Sequence, residues 1–343
     1  MGKNRIDLTM NINKKYYIGI DGGGTKTAGV IGNNYGEIVG YTMAESTNIQ
    51  VKGLDSVKTT LMNMISILRK QAKIELNDIN TIYLSLSGAG RELEKNLIIK
   101  SLEEYKLHRI KVIVENDAIS ALASGTYGES GIVLIAGTGS ISYCYNKKTN
   151  ELNRVGGWGY VLGDEGSGYD IGRQALVAIM KSYDGRGKST QLTEALKKHL
   201  SLRHETDIIP YVYQNLEMRS NIASLAKVVF EVARSGDDVA IEIINNSIDS
   251  LIELVKGAFL LIDKKQYKPP IVLCGGLFSN LEFKDNVIIK LKKTYPSNEI
   301  IIPKFPPVIG AYVLSLIENN QNKFTRTIQQ AVENSWNDIN KLY

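Results

Sequence analysis

The stretch YYIGIDGGGTKTAGVIG, residues 16–32, joins an apolar run, three consecutive glycines and a second β-branched run. A Walker A loop would require a lysine where Thr25 stands, and that loop and a Rossmann turn would both open a helix. The residues that follow are strand-like, so the segment predicts a β-hairpin. Its glycines let the backbone approach a ligand, and its amides and threonine hydroxyls can donate to phosphate oxygens.

The same layout recurs at residues 131–146, GIVLIAGTGSISYCYN, where an apolar strand again ends in a Gly/Thr loop and a second strand. A single loop of this kind is equally compatible with an ordinary Gly-Gly hairpin turn. However, Asp21 stands at the first strand end, where it can position a hydrated Mg²⁺, and Thr138 repeats the threonine in the second loop. Two such hairpins favour binding of a nucleotide triphosphate between two domains.

Strand and helix signals alternate along the rest of the chain, which predicts an α/β layer architecture. Because each half opens with a glycine-turned hairpin, we expect a duplicated domain, with an N-terminal domain at 1–118 and a C-terminal domain at 119–322. The strongly helical block over about 190–264 is interpreted as an insertion in the second half.

Composition narrows the class of protein. The chain has 343 residues, 43% hydrophobic and 22% charged, and its net charge of +5 is dispersed, so no nucleic-acid face is expected. The N-terminus is too polar for a secretory signal and no apolar run is long enough to span a membrane, so a cytoplasmic location is expected. Cys144 and Cys274 fall inside predicted strands, and the three histidines lack metal-ligand spacing.

Acidic and amide residues follow the predicted strand in VENDAISALASG, residues 114–125. Carboxylates at the carboxyl ends of α/β strands lie where ligands bind. Either Asn116 or Asp117 could be the N-cap of the helix that follows. Alternatively, Asp117 could accept the proton of a substrate hydroxyl as it attacks a phosphate.

The stretch RVGGWGYVLGDEGSGYDIG, residues 154–172, holds seven glycines around Trp158 and Asp164. An aromatic ring beside carboxylates on a glycine-shaped loop is typical of a site that grips a sugar. The alternative is a Gly-rich turn before a helix, with Asp164 or Ser167 as its cap. A weaker signal is VLCGGLFSN, residues 272–280, where a glycine pair between a strand and a helix suits a nucleotide.

Taken in their order along the chain, these segments resemble those of the superfamily that contains sugar kinases, heat-shock chaperones and actin. Within it, the chain is similar to the branch of eukaryotic-type N-acetylglucosamine kinases and BadF/BcrA-type ATPases. The matching pieces are GIDGGGTKT, STN (46–48), ENDA (115–118), AGTGS (136–140), GGWGYVLGDEGSG (156–168) and LCGGLF (273–278). The resemblance implies two RNase H-like α/β domains of the actin-like ATPase fold around a nucleotide- and sugar-binding cleft. It also implies that a last helix, over about 323–343, packs back on the first domain.

The resemblance further implies roles for single residues. Asp117 would be the base at the sugar 6-hydroxyl, and Asp21 would lie near the Mg²⁺. The residues expected to contact the sugar are Asn48, Ser140, Gly157, Trp158 and Asp164. The residues expected to contact ATP are Gly23, Gly24, Thr25, Lys26, Thr138, Gly236, Gly275, Gly276 and Asn280.

The implied function is phosphorylation of a small-molecule amino sugar, N-acetylglucosamine, by ATP and Mg²⁺ in a homodimer that serves cell-wall amino-sugar salvage. Ile141 stands where such kinases typically carry Asn, which leaves room for the lactyl group of N-acetylmuramic acid. One alternative is a glucosamine kinase. Another is an ATPase that activates a partner enzyme, which would need suitably spaced cysteines for an iron–sulfur cluster. A sugar-sensing repressor would need a helix-turn-helix domain before the first strand, and the polar segment there is too short.

Overall fold

The computed structural model describes residues 14–105, 107–214, 217–262, 268–318 and 324–341. The chain divides into two compact units, one formed by Met1–Glu129 with Pro303–Tyr343 and the other by Ser130–Ile302. The sequence predicts boundaries after residues 118 and 322, so the first unit is larger than expected. The reason is that the helix that starts at Asp117 and the helix that starts at Pro307 both pack on the first sheet.

Each unit contains one five-stranded mixed sheet. The first sheet has the order β3-β2-β1-β4-β5, with strands β1 (Tyr16–Gly22), β2 (Lys26–Asn33), β3 (Ile38–Glu45), β4 (Ile79–Leu86) and β5 (Lys111–Glu115). The second has the order β10-β9-β6-β7-β8, with strands β6 (Gly131–Ala136), β7 (Ser140–Asn146), β8 (Glu151–Gly156), β9 (Ile271–Cys274) and β10 (Ile300–Ile301). In both, the first three strands are antiparallel and the last two run parallel to the first.

The helices are distributed between the two units. The first unit contains α1 (Ile49–Lys52), α2 (Leu54–Ala72), α3 (Glu92–Glu103), α4 (Asp117–Thr126), α12 (Pro307–Ile317) and α13 (Arg326–Asn340). The second contains α5 (Gly168–Tyr183), α6 (Leu192–Leu200), α7 (Ile208–Tyr213), α8 (Met218–Ser224), α9 (Ala226–Arg234), α10 (Asp238–Leu260) and α11 (Leu281–Thr294). Thus α6 to α10 occupy the predicted helical block between β8 and β9.

Helices cover both faces of the first sheet, because its central strands are apolar on both sides. One face packs against α2, whose buried residues recur at helical spacing: Val57, Leu61, Met64, Ile65 and Leu68. The other face packs against α12 and α13. The buried members of that cluster include Tyr17, Val30, Ile309, Tyr312 and Trp336.

Two glycines let α12 approach its neighbours at backbone distance. A Cβ on Gly19 of β1 would lie 2.2 Å from the backbone nitrogen of Tyr312. A Cβ on Gly310 of α12 would lie 2.0 Å from the carbonyl oxygen of Ser120 in α4. Because α4 begins at Asp117, the Gly310 crossing helps to set the position of that residue.

The last helix, α13, packs on the first unit. Trp336 is buried with its ring edge-on to Tyr41, 5.4 Å between centroids, and Ser335 Oγ accepts a hydrogen bond from Ile38 N at 2.9 Å. The hydroxyl of Tyr127, at the end of α4, donates to Glu333 at 2.8 Å. These contacts bind the C-terminal helix to β3 and to the end of α4.

The core of the second unit lies between its sheet and α10, α5 and α9. From α10 it receives Ile248, Leu251, Ile252 and Val255, which follow a helical period. Cys144 is buried in β7 and Cys274 is half-buried at the end of β9, and the two do not form a disulfide. Within the described ranges, no helix of either unit is long and apolar enough to cross a bilayer.

The carboxylate of Asp237 joins the start of α10 to the segment before α6. It caps α10 by accepting from Ala240 N at 2.9 Å, and it also accepts from Thr190 Oγ1 at 2.9 Å and Gln191 N at 2.8 Å. Burial acts to raise the pKa of Asp237, but these hydrogen bonds outweigh it and hold the pKa below its usual value. The charged form of Asp237 therefore stabilises the fold.

We expect Asp237→Asn to lower the free energy of unfolding at neutral pH by about 1–3 kcal/mol, because the new NH₂ group faces a backbone N–H whichever oxygen it replaces. Because the folded-state pKa is lowered, the stabilisation is complete above the unfolded-state value and is lost as pH falls through the folded-state value. Urea unfolding at pH 7 and in acid, with exposed Asp238→Asn as the matched control, measures this. A stability difference that does not shrink in acid would contradict the account.

Candidate active site

The predicted first hairpin is confirmed. β1 and β2 pair antiparallel up to Gly22 opposite Thr27, and Gly23 N donates to Lys26 O at 2.9 Å to close the turn. Ser46 Oγ donates to Gly23 O at 2.9 Å and braces the loop from the side. The predicted phosphate-binding residues at the tip, Gly24, Thr25 and Lys26, are exposed. Their amides and the Thr25 hydroxyl are thus open to a ligand.

Two predicted residues, Asp21 at the end of β1 and Asp117 at the start of α4, act on each other electrostatically. Ser120 Oγ lies 2.9 Å from Asp21 Oδ1 and 2.8 Å from the carbonyl oxygen of Asp117, so it links the two segments. Burial and the Asp117 charge raise the pKa of Asp21 to about 7, while the Ser120 hydrogen bond and the Lys26 charge act to lower it. A bound cation would relieve this repulsion.

Asn116, not Asp117, is the N-cap of α4. Its backbone is extended, with φ −68° and ψ 146°, and its side-chain oxygen accepts from Ala118 N at 3.0 Å. This settles the alternative that the sequence leaves open, because the capping position needs a short polar side chain with an extended backbone. Asp117 occupies the first turn of the helix, where the helix dipole favours a negative charge.

The predicted sugar residue Asn48 lies at the start of α1 in the same unit. Its side-chain oxygen accepts from Gln50 N at 3.0 Å, and its amide donates to Ser87 Oγ at 3.3 Å. Ser87 N in turn donates to Gly22 O at 2.7 Å. Asp21, Asn48, Ser87 and Asp117 therefore gather at the carboxyl ends of the parallel strands β1, β4 and β5, where open α/β sheets bind ligands.

The second unit builds a similar turn between β6 and β7. Gly137 N donates to Gly139 O at 2.9 Å, which leaves Thr138 exposed at the tip. The start of α5 docks on this turn through Gly168 N to Gly137 O at 2.8 Å and Tyr169 N to Thr138 O at 3.2 Å. The predicted Thr138 loop is thus held rigidly against a helix N-terminus.

Asp164, a predicted sugar residue, is held by two protein groups. It is 3% exposed, and its carboxylate accepts from Ser140 N at 3.3 Å and from Arg219 Nη2 at 2.9 Å. The cap of α5 is Ser167, which accepts from Asp170 N at 3.2 Å, so the alternative of Asp164 as the cap is wrong. Arg219 has no signal in the sequence, because it lies 55 residues from Asp164, on α8, with no local motif around it.

The loop that precedes Asp164 carries the predicted aromatic residue. Trp158 is 61% exposed, and the Arg154 guanidinium lies 4.2 Å from the centre of its ring. A Cβ on Gly157 would lie 2.3 Å from Ile141 Cδ1, so the Ile141 side chain covers the backbone of Gly157. Ser140 Oγ donates to Glu165 O at 2.6 Å and joins this loop to the second hairpin.

The remaining predicted nucleotide residues lie elsewhere in the second unit. Gly236 lies in the connection between α9 and α10, and Gly275 and Gly276 follow β9. The expected α-helix after the glycine pair begins later, because a 3₁₀ turn spans Gly276–Ser279 and Asn280 then caps α11 by accepting from Phe283 N at 3.0 Å. Asn280, which caps through its side chain, therefore sets the start of α11, and Gly275, which has no side chain to do so, does not.

The two sheets share one strand topology, three antiparallel strands followed by two parallel ones, and each places a Gly/Thr turn after its first strand. This duplication defines two RNase H-like units of the actin-like ATPase fold, as predicted. A candidate N-acetylglucosamine kinase from Chromobacterium violaceum superposes with a TM-score of 0.69 at 22% identity, covering 88% of this chain and 99% of that one.

The model of the BadF/BadG/BcrA/BcrD ATPase family matches residues 18–315, and the chain belongs to this family. It is 34% identical to an N-acetyl-D-glucosamine kinase of Dictyostelium discoideum over 89% of this chain and 99% of the relative. It is also 34% identical, with the same coverage, to an N-acetylmuramic acid/N-acetylglucosamine kinase of Clostridium acetobutylicum. Membership of an ATPase family implies the use of ATP.

Proposed function

We propose that the protein is a kinase that transfers the γ-phosphoryl group of ATP to the 6-hydroxyl of an N-acetylated amino sugar. The observation that carries the proposal is the pair of carboxylates, Asp21 and Asp117, at the carboxyl ends of the parallel strands of the first unit. Two relatives at 34% identity, each matched over nearly its whole length, are named as kinases of N-acetylated amino sugars.

In the proposed reaction, Asp117 is the general base. The sugar 6-oxygen attacks the γ-phosphorus while its proton moves to the Asp117 carboxylate. The bond between the γ-phosphorus and the bridging oxygen breaks, and ADP leaves with that electron pair. Asn116 supports this role because it is the N-cap of α4, so the Asp117 carboxylate is not needed for capping. Ser120 supports it by tying the start of α4 to Asp21.

The nucleotide phosphates are assigned to the exposed turn amides and to the hydroxyls of Thr25 and Thr138. Backbone N–H groups fixed in a tight turn bind anions without reorganising during the reaction. Gly23, Gly24 and Lys26 complete the first turn. We assign Gly236, Gly275, Gly276 and Asn280 to the nucleotide as well, on the sequence resemblance alone.

The carboxylates fit Mg²⁺, which usually binds one or two carboxylates together with substrate phosphates. Among the residues that the structure describes, no group of three or more His, Cys, Asp or Glu could form a separate metal site. We therefore assign the ion to Asp21, whose negative charge is repelled by the carboxylate of Asp117. When bound, the ion neutralises negative charge on the transferred phosphoryl group.

The sugar is assigned to Asn48, Ser140, Gly157, Trp158 and Asp164. Asp164 supplies a carboxylate that can accept sugar hydroxyls, and the exposed Trp158 ring can pack on a C–H face of the sugar. Ile141 places an apolar side chain on Gly157, and one relative at 34% identity is named as an N-acetylmuramic acid/N-acetylglucosamine kinase. On these two grounds we extend the proposal to N-acetylmuramic acid. Salvage of cell-wall amino sugars would be the context.

The alternatives are not favoured. An ATPase that activates a partner enzyme would need accessible thiolates for an iron–sulfur cluster, whereas Cys144 is buried within β7. A glucosamine kinase would act on the same ring without the acyl group, while both 34% identical relatives are named for N-acetylated sugars. The homodimer and the cytoplasmic location stay predictions.

The proposal is tested by ADP release from the purified protein with ATP and Mg²⁺. One reaction would contain no sugar. Each of four others would contain a single sugar: N-acetylglucosamine, N-acetylmuramic acid, glucosamine or glucose. We expect ADP release only with the N-acetylated sugars. Equal ADP release in all reactions would overturn the kinase and indicate an ATPase, and release with glucosamine alone would overturn the N-acetyl assignment.

A further inference from the structure

The ion pair between Arg219 and Asp164 links three segments of the second unit. Arg219 lies in the first turn of α8, and its Nη2 donates to Asp164 Oδ2 at 2.9 Å. The same nitrogen lies 2.7 Å from the position that a Cβ on Gly139 would take, so the guanidinium rests on the turn of the second hairpin. Its carbon lies 5.9 Å from the centre of the Tyr160 ring in the Gly-rich loop.

Asp164 depends on this cation. A carboxylate that is 3% exposed is costly unless it is paired and hydrogen-bonded. Within the part of the chain that the structure describes, Arg219 is the cation paired with Asp164, and the second partner is the neutral Ser140 N–H. Asp164 also has a left-handed backbone, with φ of 62°, which is unfavourable for a residue other than glycine.

We propose that Arg219 is a positioning residue for sugar binding: it orients the Asp164 carboxylate and joins the Gly-rich loop to the second phosphate turn. The inference rests on the proposed function, because Asp164 matters here as a sugar-binding group. Arg219 acts through Asp164 and does not contact the sugar itself. Its planar fork can bond Asp164 while it packs on Gly139, which a flexible ammonium cannot reproduce.

Removing the Arg219 guanidinium is expected to weaken binding of the sugar. Without Arg219, the buried Asp164 carboxylate loses its charged partner and its orientation, and truncating one partner of a buried charge pair is strongly unfavourable. We therefore expect Arg219→Met to raise the KM for the sugar by roughly tenfold or more. The KM for ATP should change less than about twofold, because the turn itself is closed by the Gly137–Gly139 hydrogen bond.

The experiment compares Arg219→Met, Arg219→Lys and Asp164→Asn, alone and combined, with both N-acetylglucosamine and N-acetylmuramic acid. The matched control is Arg173→Met, which breaks another Arg–Asp pair of the same unit, with 50% side-chain exposure against 45% for Arg219. Arg219→Lys keeps the positive charge, and its KM for the sugar is the test if Arg219→Met does not fold. Added guanidinium ion should partly restore the sugar KM of a folded Arg219→Met protein.

The inference predicts that both sugars lose affinity to the same extent, and that the double variant Arg219→Met/Asp164→Asn is no worse than Asp164→Asn alone. Additive effects in the double variant would overturn it. So would a selective loss of N-acetylmuramic acid, which would indicate direct contact with the sugar carboxylate, or a rise in the ATP KM, which would indicate contact with phosphate. An equal effect of Arg173→Met would reduce Arg219 to a general structural role and also overturn it.

Failure of this inference is distinguishable from failure of the proposed function. If the unmodified protein shows no sugar-dependent ADP release, the kinase assignment itself fails. If the unmodified protein phosphorylates sugars and Arg219→Met does so with unchanged KM values, the kinase stands and the role of Arg219 is overturned.

Discussion

Asp117→Asn is expected to lower kcat for sugar phosphorylation by roughly 10²–10⁴-fold, the usual scale for loss of a general base. An amide cannot take the proton of the 6-hydroxyl, but it has nearly the same shape as the carboxylate. The helix cap is unaffected because Asn116 provides it. Dissociation constants for ATP and the sugar, measured calorimetrically beside steady-state kinetics, should therefore change little.

Asp55→Asn is the matched control for this change. Asp55 is an exposed aspartate in the first turn of α2, in the same unit, as Asp117 is in the first turn of α4. We expect Asp55→Asn to leave kcat unchanged. A kcat for Asp117→Asn that equals that of the unmodified protein would contradict the assignment of Asp117 as the base.

Gly310→Val is expected to destabilise the first unit by at least about 3 kcal/mol, at the upper end of the range for overpacked cores. The new Cβ would lie 2.0 Å from the carbonyl oxygen of Ser120 and 2.7 Å from the nitrogen of Ser124. Both are backbone atoms within α4, so no side chain can move aside, and α4 or α12 must shift. Since α4 carries Asp117, activity should fall together with stability.

Urea unfolding measures the effect of Gly310→Val, with Gly310→Ala as the milder variant if the valine protein does not fold. The matched control for stability, though not for activity, is Gly276→Ala, because a Cβ there meets no atom within 4 Å. We expect that control to change stability by less than about 0.5 kcal/mol. Unchanged unfolding midpoints for both Gly310 variants would refute the close packing of α12 on α4.

Much of the fold could be predicted from the sequence because its signals are local. The two Gly/Thr turns, the alternation of strands and helices and the helical block all depend on neighbouring residues. The division into units depends on distant ones. The Gly310 crossing joins α12 to α4, which are far apart in the chain, so the placement of both helices in the first unit has no local signal.

The candidate site shows the same limit. Asn116 and Asp117 are adjacent, and both suit a helix cap, so only the hydrogen bond to Ala118 N decides between them. Asp164 and Ser167 present the same ambiguity before α5, and the Ser167 bond to Asp170 N resolves it. The role of Arg219 could not be predicted, because its partner Asp164 lies 55 residues away in the chain. Neither an arginine nor an aspartate by itself indicates which residue it will pair with.

The central claim is transfer of a phosphoryl group to the sugar 6-hydroxyl, and identification of the product by two-dimensional ³¹P–¹H NMR tests it most directly. The account predicts one sugar phosphate per ADP formed, with the phosphorus coupled to the two C6 protons of N-acetylglucosamine. Coupling to another ring position would contradict the placement of the base at the 6-hydroxyl. Inorganic phosphate and unchanged sugar would contradict the kinase altogether.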